Sequence, residues 1–376
     1  MKSIYVVAAS QEYDVANHQG FWQSLAKKSN NIVVVVNIPA DFLITILRGK
    51  RDRIADAKRP AKTITNNLYV VRPLMHIRPE LCTKFGRQIL AKQFWKAVEK
   101  AVPDFEKCIV NLIVYNAFWV KILKGSHSHL RIGYYLFDEV RSEGNSNKRN
   151  KRRYKDDDYA CSNCNLLFTM TQVLADSRLS YCKPTLVIGN GSTVQNPSCS
   201  QLKLPNSIAF IGNIRNWIDK SLLEGIIQRM PDCLFSFIGP VEADMRPYLN
   251  DLLNHYSNTM YKGIVSKDRI SDTYRLFDVV IIPYLQNEFT KATRPIKIVE
   301  SIMSGTPVVT IPMNGYNQSE FIRFGTSVDS FEKEIRFLIK HPIDKNSKQY
   351  RSFVENNSWD KKAETVIDAF HSIDKY

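Results

Sequence analysis

"DVVIIPYLQNEFTKATRPIKIVESIMSGTPVVTIP", residues 278–312, sets an apolar run, a polar loop, a helix-patterned segment and a second apolar run in sequence. Near-continuous Val/Ile runs belong to strands buried on both faces, as in a parallel sheet covered by helices. Pro295 suits the first position of the intervening helix, where its missing N–H costs nothing, and Gly305 suits the C-terminal stop. Within that helix Ile298, Val299, Ile302 and Met303 form a side expected to pack on the sheet. Lys297, Glu300, Ser301 and Ser304 fall at i, i+3, i+4 and i+7 and are expected to form a polar stripe on the other side.

The same alternation extends through the chain. The first half offers "SIYVVAA", "NIVVVVNI", "NLYVVRP", "KCIVNLIVY", "RIGYYLF", "LLFTMT" and "PTLVIGNG" as strands; the second adds "SIAFIGN", "CLFSFIGP" and "TMYKGIV". Helix-patterned stretches lie between them. This is the signature of an α/β protein with two doubly wound Rossmann-like domains. The domains are expected at 1–195 and 207–358, joined by a proline- and serine-rich linker at 196–206, with a final helix at 359–376. The two are expected to face a cleft, and ligands of such sheets bind beyond the carboxyl ends of the strands.

A length of 376 residues with 44% hydrophobic composition fits two cores. The seven cysteines are scattered, and Cys161 and Cys164 form a CxxC with no second pair at zinc-site spacing, so reduced thiols and a cytoplasmic setting are expected. "MKSIYVVAASQEYD" has too short an apolar run for a signal peptide. "NIVVVVNIPADFLITIL" is broken by Asn37, Pro39 and Asp41, short of the ~20 residues of a membrane helix.

Charge is unevenly placed. Residues 1–190 carry 30 Lys and Arg against 16 Asp and Glu, whereas residues 191–376 carry 22 against 21. A basic first half suits an anionic membrane surface, a phosphate-bearing acceptor or nucleic acid. The densest run, "KRNKRRYKDDD" at 148–158, reads as a solvated loop, with contact to lipid head groups as the sharper alternative. A nucleic-acid surface would interleave aromatics with the cations; here the aromatics fall within apolar runs.

The helix of the opening stretch carries a functional signal. A helix N-terminus is already positive, so a cation in the first turn loses roughly 0.3–1 kcal/mol. Lys297 sits there, with Arg294 and Lys291 just before it. A bound diphosphate would reverse that repulsion, and Glu300, one turn deeper, suits a ribose diol. The structural alternative is an exposed i, i+3 ion pair worth ~0.2–0.5 kcal/mol.

"IPYLQNEFTKATRPIKIVESIMSGTPVV", with "FIGNIRNWIDKSLLEGI" at 210–226 and "FSFIGPV" at 235–241, resembles the donor-binding domain of group 1 glycosyltransferases of the GT-B fold, which include builders of bacterial surface polysaccharides. "GYYLFDEV", "LLFTMTQVLADSR" and "VIGNGSTV" resemble the first domain in pattern, and "NSWDKKAETVIDAF" resembles the closing helix that crosses back to it. The resemblance implies a nucleotide-diphosphate sugar in the second domain and a glycan or lipid-linked acceptor in the first; the cations at 291–297 are expected to make a metal cofactor unnecessary. Lys297 would take the diphosphate and Glu300 the ribose. Gly212, Asn213 and Arg215 of the glycine loop, Gly239, Thr290, and main-chain groups near Val265 would complete the donor site. Retaining members carry an acidic residue eight positions before the Glu300 equivalent. Here that position is Ala292, and Glu288 is four residues off, so an inverting reaction with a carboxylate base is expected.

Asp138, with Glu139 beside it, follows the strand "RIGYYLF" and is the expected base; a helix N-cap is its structural alternative. His18 is the other candidate base and, with Asn17 and Gly20, a candidate acceptor contact in the loop after the first strand. "DDD" at 156–158 formally satisfies an Asp-x-Asp metal motif but follows cations rather than an apolar strand, so it is expected to be a solvated charge run. "SHSH" at 126–129 is expected to be loop. A nucleotide-sugar epimerase or hydrolase remains the rival enzyme reading. It would need no acceptor and no basic surface.

Overall fold

The structure, a computed structural model, describes residues 1–41, 51–76, 78–83, 85–139, 148–193, 203–287, 290 and 293–373. The chain divides into two compact units, Met1–Gly189 with Trp359–Tyr376, and Asn190–Ser358. That division falls before the linker expected at 196–206, of which 203–206 are described.

The first unit is built from β1 (Ser3–Ala8), α1 (Gln19–Ser29), β2 (Ile32–Val36), β3 (Ala40–Asp41), α2 (Arg51–Lys58), β4 (Lys62–Thr65), β5 (Leu68–Val71) and β6 (Leu74–Met75). It continues through α3 (Gly86–Glu99), β7 (Ile109–Val114), α4 (Phe118–Leu123), β8 (Leu130–Leu136), α5 (Lys148–Asn163), β9 (Leu166–Thr169), α6 (Gln172–Asp176) and β10 (Thr185–Val187). Eight of the strands form one sheet in the order β10-β9-β8-β7-β1-β2-β5-β4, parallel except at β4. Ile4 to Val7 of β1 are fully buried, as a central parallel strand with helices on both faces requires. Val6 stands opposite Val34 of β2 and Leu112 of β7.

The second unit holds β11 (Ser207–Ile211), α7 (Lys220–Arg229), β12 (Leu234–Ile238), α8 (Arg246–His255), β13 (Thr259–Tyr261), α9 (Ile270–Arg275), β14 (Val279–Ile282), α10 (Ile296–Ser304), β15 (Val308–Thr310), β16 (Ile322–Phe324), α11 (Val328–Lys340) and α12 (Lys348–Asn356). Its six strands run β13-β12-β11-β14-β15-β16, all parallel. The opening stretch is thus β14-α10-β15. Ile298, Val299, Ile302 and Met303 of α10 are buried in the core as expected, and Gly305 ends the helix at φ +93°. Pro295 caps the helix rather than opening it.

The last helix, α13 (Trp359–Ser372), packs in the first unit along α1. Asp360 accepts from the Ser24 hydroxyl at 2.7 Å and pairs with Lys27 at 3.1 Å, and Glu364 pairs with Lys28 at 2.7 Å. Phe370 is fully buried, edge-on to Tyr5 and Phe168 with ring centroids 5.9 Å away in each case. Among the described residues no helix is long and apolar enough to cross a membrane.

Two expectations fail in α5. The basic run expected as a loop is the first half of this helix. The aspartates behind it are not a solvated run: Asp156 and Asp157 are buried, Asp156 against Lys121 and Asp157 against Tyr134 and Arg178. Their partners lie 21 to 35 residues away, out of reach of a local reading. Ser301 and Ser304 also leave the expected polar stripe. Both are buried, and their hydroxyls donate to the Thr306 carbonyl at 2.8 Å and the Glu300 carbonyl at 2.7 Å.

Because Phe370 fills the space between Tyr5 and Phe168, Phe370→Ala is expected to lower unfolding free energy by roughly 3–5 kcal/mol. Urea denaturation checks this, and a change below about 1 kcal/mol would mean that α13 is dispensable to the first core.

Candidate active site

The donor loops expected from sequence are joined edge to edge in the second unit. Gly212, after β11, donates its N–H to the Ile238 carbonyl at 2.8 Å. Gly239, after β12, donates to the Gly263 carbonyl at 2.8 Å, and the Tyr261 hydroxyl donates to the Gly239 carbonyl at 2.9 Å. Gly212 has φ +133° and Gly239 φ +129°, where a side chain is strained. Space forbids one as well at Gly239, and at Gly212 one would displace the end of Lys297. A Cβ on Gly239 would lie 2.3 Å from the Gly212 carbonyl oxygen, and one on Gly212 would lie 2.5 Å from Lys297 Nζ.

Lys297 therefore lies directly against the glycine turn. Its ammonium is 4.3 Å from the Phe210 ring centroid and 5.4 Å from that of Tyr284, and among the described residues it makes no ion pair with a carboxylate. The exposed i, i+3 pair with Glu300 offered as the structural alternative does not form. Glu300 instead accepts a hydrogen bond from the buried Tyr274 hydroxyl at 3.3 Å. Desolvation pushes the Glu300 carboxyl up from its usual range, opposed by the Tyr274 hydrogen bond and the charges of Lys267 and Lys297.

The remaining donor candidates differ in what occupies them. Arg294 stacks over Tyr316 at 5.1 Å, and its carbonyl accepts from Asn190 Nδ2 at 2.6 Å. Arg215 stacks over Trp217 at 4.9 Å and pairs with Glu242 at 2.5 Å, so a phosphate there competes with a carboxylate. Thr290 is buried and bonds within its own loop, to Asn287 and the Leu285 carbonyl, which makes it a loop staple. Asn213 and Val265 are half-buried. Lys291 lies outside the described residues, as do Ala292 and Glu288.

In the first unit, Asp138 is exposed two residues beyond the end of β8. Whether it caps a following helix concerns residues 140–147, outside the described ones. Glu139 is held by Arg178, at 2.9 and 3.2 Å, and Arg178 also bonds Asp157 at 3.1 Å. Glu139, itself half-buried, is thus tied to a charge network whose other members, Arg178 and Asp157, are buried. His18 is buried as well. Its Nδ1 lies 2.8 Å from the Tyr115 hydroxyl, and the rings of Phe21, Tyr115, Tyr135, Phe137 and Trp359 surround it with centroids at 5.1–6.2 Å. Asn17 is exposed, and its N–H bonds the Gln11 side chain at 3.2 Å, while Gly20 lies in the first turn of α1. "SHSH" is a turn, with His127 Nε2 at 3.2 Å from the Phe105 carbonyl.

Sequence reasoning missed Tyr274, Phe210 and Tyr284. Each reads as an ordinary core aromatic, and their polar partners lie 13 to 87 residues away, so no local spacing marks them.

Comparison with known proteins bears on this region. Residues 187–341 match the family model described as glycosyl transferases group 1. A protein of Bacillus subtilis (strain 168), named as the teichuronic acid biosynthesis glycosyltransferase TuaH, is 26% identical over 117 residues, which span 31% of this chain and 29% of that relative's length. Among solved structures, a TarM mutant of S. aureus, crystallised with fondaparinux, alpha-GlcNAc-glycerol and UDP, superposes with a TM-score of 0.59 at 11% identity, covering 99% of each chain. Anabaena HepE, in complex with UDP and glucose, gives 0.58 at 16% identity over 100% of this chain and 99% of its own. Identities this low establish the fold, that of the GT-B glycosyltransferases.

The raised Glu300 carboxyl carries a sign. An acid whose folded pKa exceeds its unfolded value, about 4.3, costs stability once the pH rises past that value. Glu300→Gln is therefore expected to raise the thermal midpoint of the unliganded protein at pH 7, with the gain vanishing near pH 4. A midpoint difference independent of pH would refute the burial account.

Proposed function

We propose that this chain, whose residues 187–341 belong to the group 1 glycosyl transferases, transfers a sugar from a nucleotide-diphosphate donor to a surface-glycan or lipid-linked acceptor. The observation that carries the reading is Lys297. An ammonium with no carboxylate ion pair among the described residues is held at the start of α10, where the helix itself repels it, against a glycine turn whose φ of +133° disfavours a side chain. A diphosphate is the ligand that turns this arrangement from unfavourable to favourable. Arg294 adds positive charge just before the helix, and Glu300, a turn deeper, accepts from a ribose diol. UDP in the TarM and HepE crystals supports a uridine donor, and the teichuronic acid role in TuaH's name supports a surface-glycan acceptor.

In this reading Asp138 is the base and the reaction inverts. Asp138 removes the proton from the acceptor hydroxyl as its oxygen attacks the anomeric carbon, and the bond from that carbon to the diphosphate oxygen breaks. Lys297 and Arg294 meet the charge that develops on the departing diphosphate, the role a divalent metal plays elsewhere. Asp138 is preferred over its rivals because Glu139 is tied to Arg178 and His18 is enclosed by aromatic rings. The basic first half would meet an anionic membrane surface on the cytoplasmic side.

Three measurements test this. UDP is expected to raise the melting temperature in the presence of EDTA, and Lys297→Ala to abolish the rise; a shift retained in that variant would remove the phosphate assignment. Asp138→Asn is expected to keep the UDP shift and lose at least about 100-fold in transfer, whereas an active variant would move the base elsewhere. Tyr274→Phe removes a hydrogen bond that lowers the Glu300 pKa, so the loss of UDP affinity on acidification is expected to begin at a higher pH. Identical profiles for the variant and the parent would take Glu300 out of the ribose site.

A further inference from the structure

The first unit contains a cavity of about 360 Å³ at the start of α3 and α5 and along α4. Its cations are Arg87, Lys121, Lys148, Lys151, Arg152 and Lys155; its acids are Glu80 and Asp156. Asp156 is committed to Lys121. The other five cations make no ion pair among the described residues, so the cavity has a local excess of positive charge far above what Glu80 can balance. Arg87 adds a second sign of vacancy: its Nε is buried and has no hydrogen-bond partner among the described residues.

The order of charges along α5 points the same way. A helix favours carboxylates in its first turn and cations in its last. Here Lys148, Lys151, Arg152 and Lys155 occupy the first two described turns, and Asp156, Asp157 and Asp158 follow them. Neither stability nor solubility asks for that order at the wall of a cavity. A multiply charged anion does.

We propose that this cavity is a second anion site, distinct from the one at Lys297, and that it binds a phosphate or diphosphate group carried by a sugar or by a lipid. Two guanidinium groups offer the forked donors that fit phosphate oxygens, and three ammonium groups supply charge without fixed geometry. The volume suits one phosphorylated sugar unit. Phe118, Ile122 and Pro79 give the cavity an apolar lining for the group that carries the phosphate. The inference does not rest on the donor reading, because none of these residues takes part in it.

Site-resolved lysine labelling of the full chain, read by mass spectrometry, tests the site with inorganic pyrophosphate as probe. Pyrophosphate is expected to slow the labelling of Lys148, Lys151 and Lys155 at least fivefold, while UDP slows Lys297 and leaves these three unchanged. In a Lys151→Glu, Arg152→Glu variant, both positions being exposed, the protection of Lys148 and Lys155 is expected to disappear with no change in melting temperature. Sodium chloride at matched ionic strength separates site binding from diffuse screening; equal protection by the salt overturns the proposal. Glucose 6-phosphate and phosphatidylglycerol vesicles separate the sources. Protection by the sugar phosphate assigns a soluble or glycan-borne group, and protection by vesicles as well as pyrophosphate assigns a lipid-borne one. Protection by vesicles alone would mean a flat adhesive surface and would overturn the cavity site.

Discussion

The second unit depends on the contact between two backbone turns. Gly239 approaches the Gly212 carbonyl so closely that a single methyl group would collide with it, and Lys297 closes against Gly212 from the other side. No side chain fits at Gly239, and one at Gly212 would displace the end of Lys297. The ends of β11, β12 and β13 are brought together by main-chain hydrogen bonds and by the Tyr261 hydroxyl on the Gly239 carbonyl, and the cation of α10 lies against Gly212. Turns without side chains let a ligand approach the backbone, and a helix start whose ammonium makes no ion pair among the described residues supplies the attraction. The features follow from one steric restriction.

Much of this was legible in the sequence because it is local. The Val/Ile runs of β1, β2, β14 and β15 mark doubly covered strands, and the 3.6-residue period of Ile298, Val299 and Ile302 marks the buried side of α10. Lys297 and Glu300 stand out by position along one helix, and "GN" and "GP" mark the two turns after strands. What escaped depends on partners far along the chain. Tyr274 reads as one aromatic among seventeen tyrosines until its hydroxyl is found on Glu300, 26 residues away. Ser301 and Ser304 count as polar in a helical period, yet each hydroxyl is consumed by a nearby carbonyl, which lets both be buried.

The misreading of residues 148–158 has a clear physical origin. A run of four or more cations followed by three aspartates has the composition of a solvated loop, and its helical tendency is weak by charge repulsion alone. The long-range pairs Lys121–Asp156 and Arg178–Asp157 anchor one side of the helix in the fold. Arg178 is almost wholly buried between Asp157 and Glu139, so breaking either pair would leave an uncompensated charge inside the unit. The same anchoring fixes the cations in place, since those of the cavity share its wall with Asp156. A flexible loop with this sequence would spread its charge into solvent, whereas the helix concentrates it along one wall.

His18 and Asp138 illustrate how burial divides residues that sequence treats alike. Both follow strands of the first sheet at their carboxyl ends, and both are types that serve as bases. Five aromatic rings enclose His18, and the Tyr115 hydroxyl bonds its Nδ1 while also accepting from Trp22 Nε1 at 3.2 Å. Trp359, at the start of α13, is one of those rings. The histidine is therefore part of what joins the returning helix to the first core. Asp138 is exposed, and its neighbour Glu139 is the one drawn inward by Arg178. Of these three candidates Asp138 is the exposed one, which is where a substrate can reach a carboxylate.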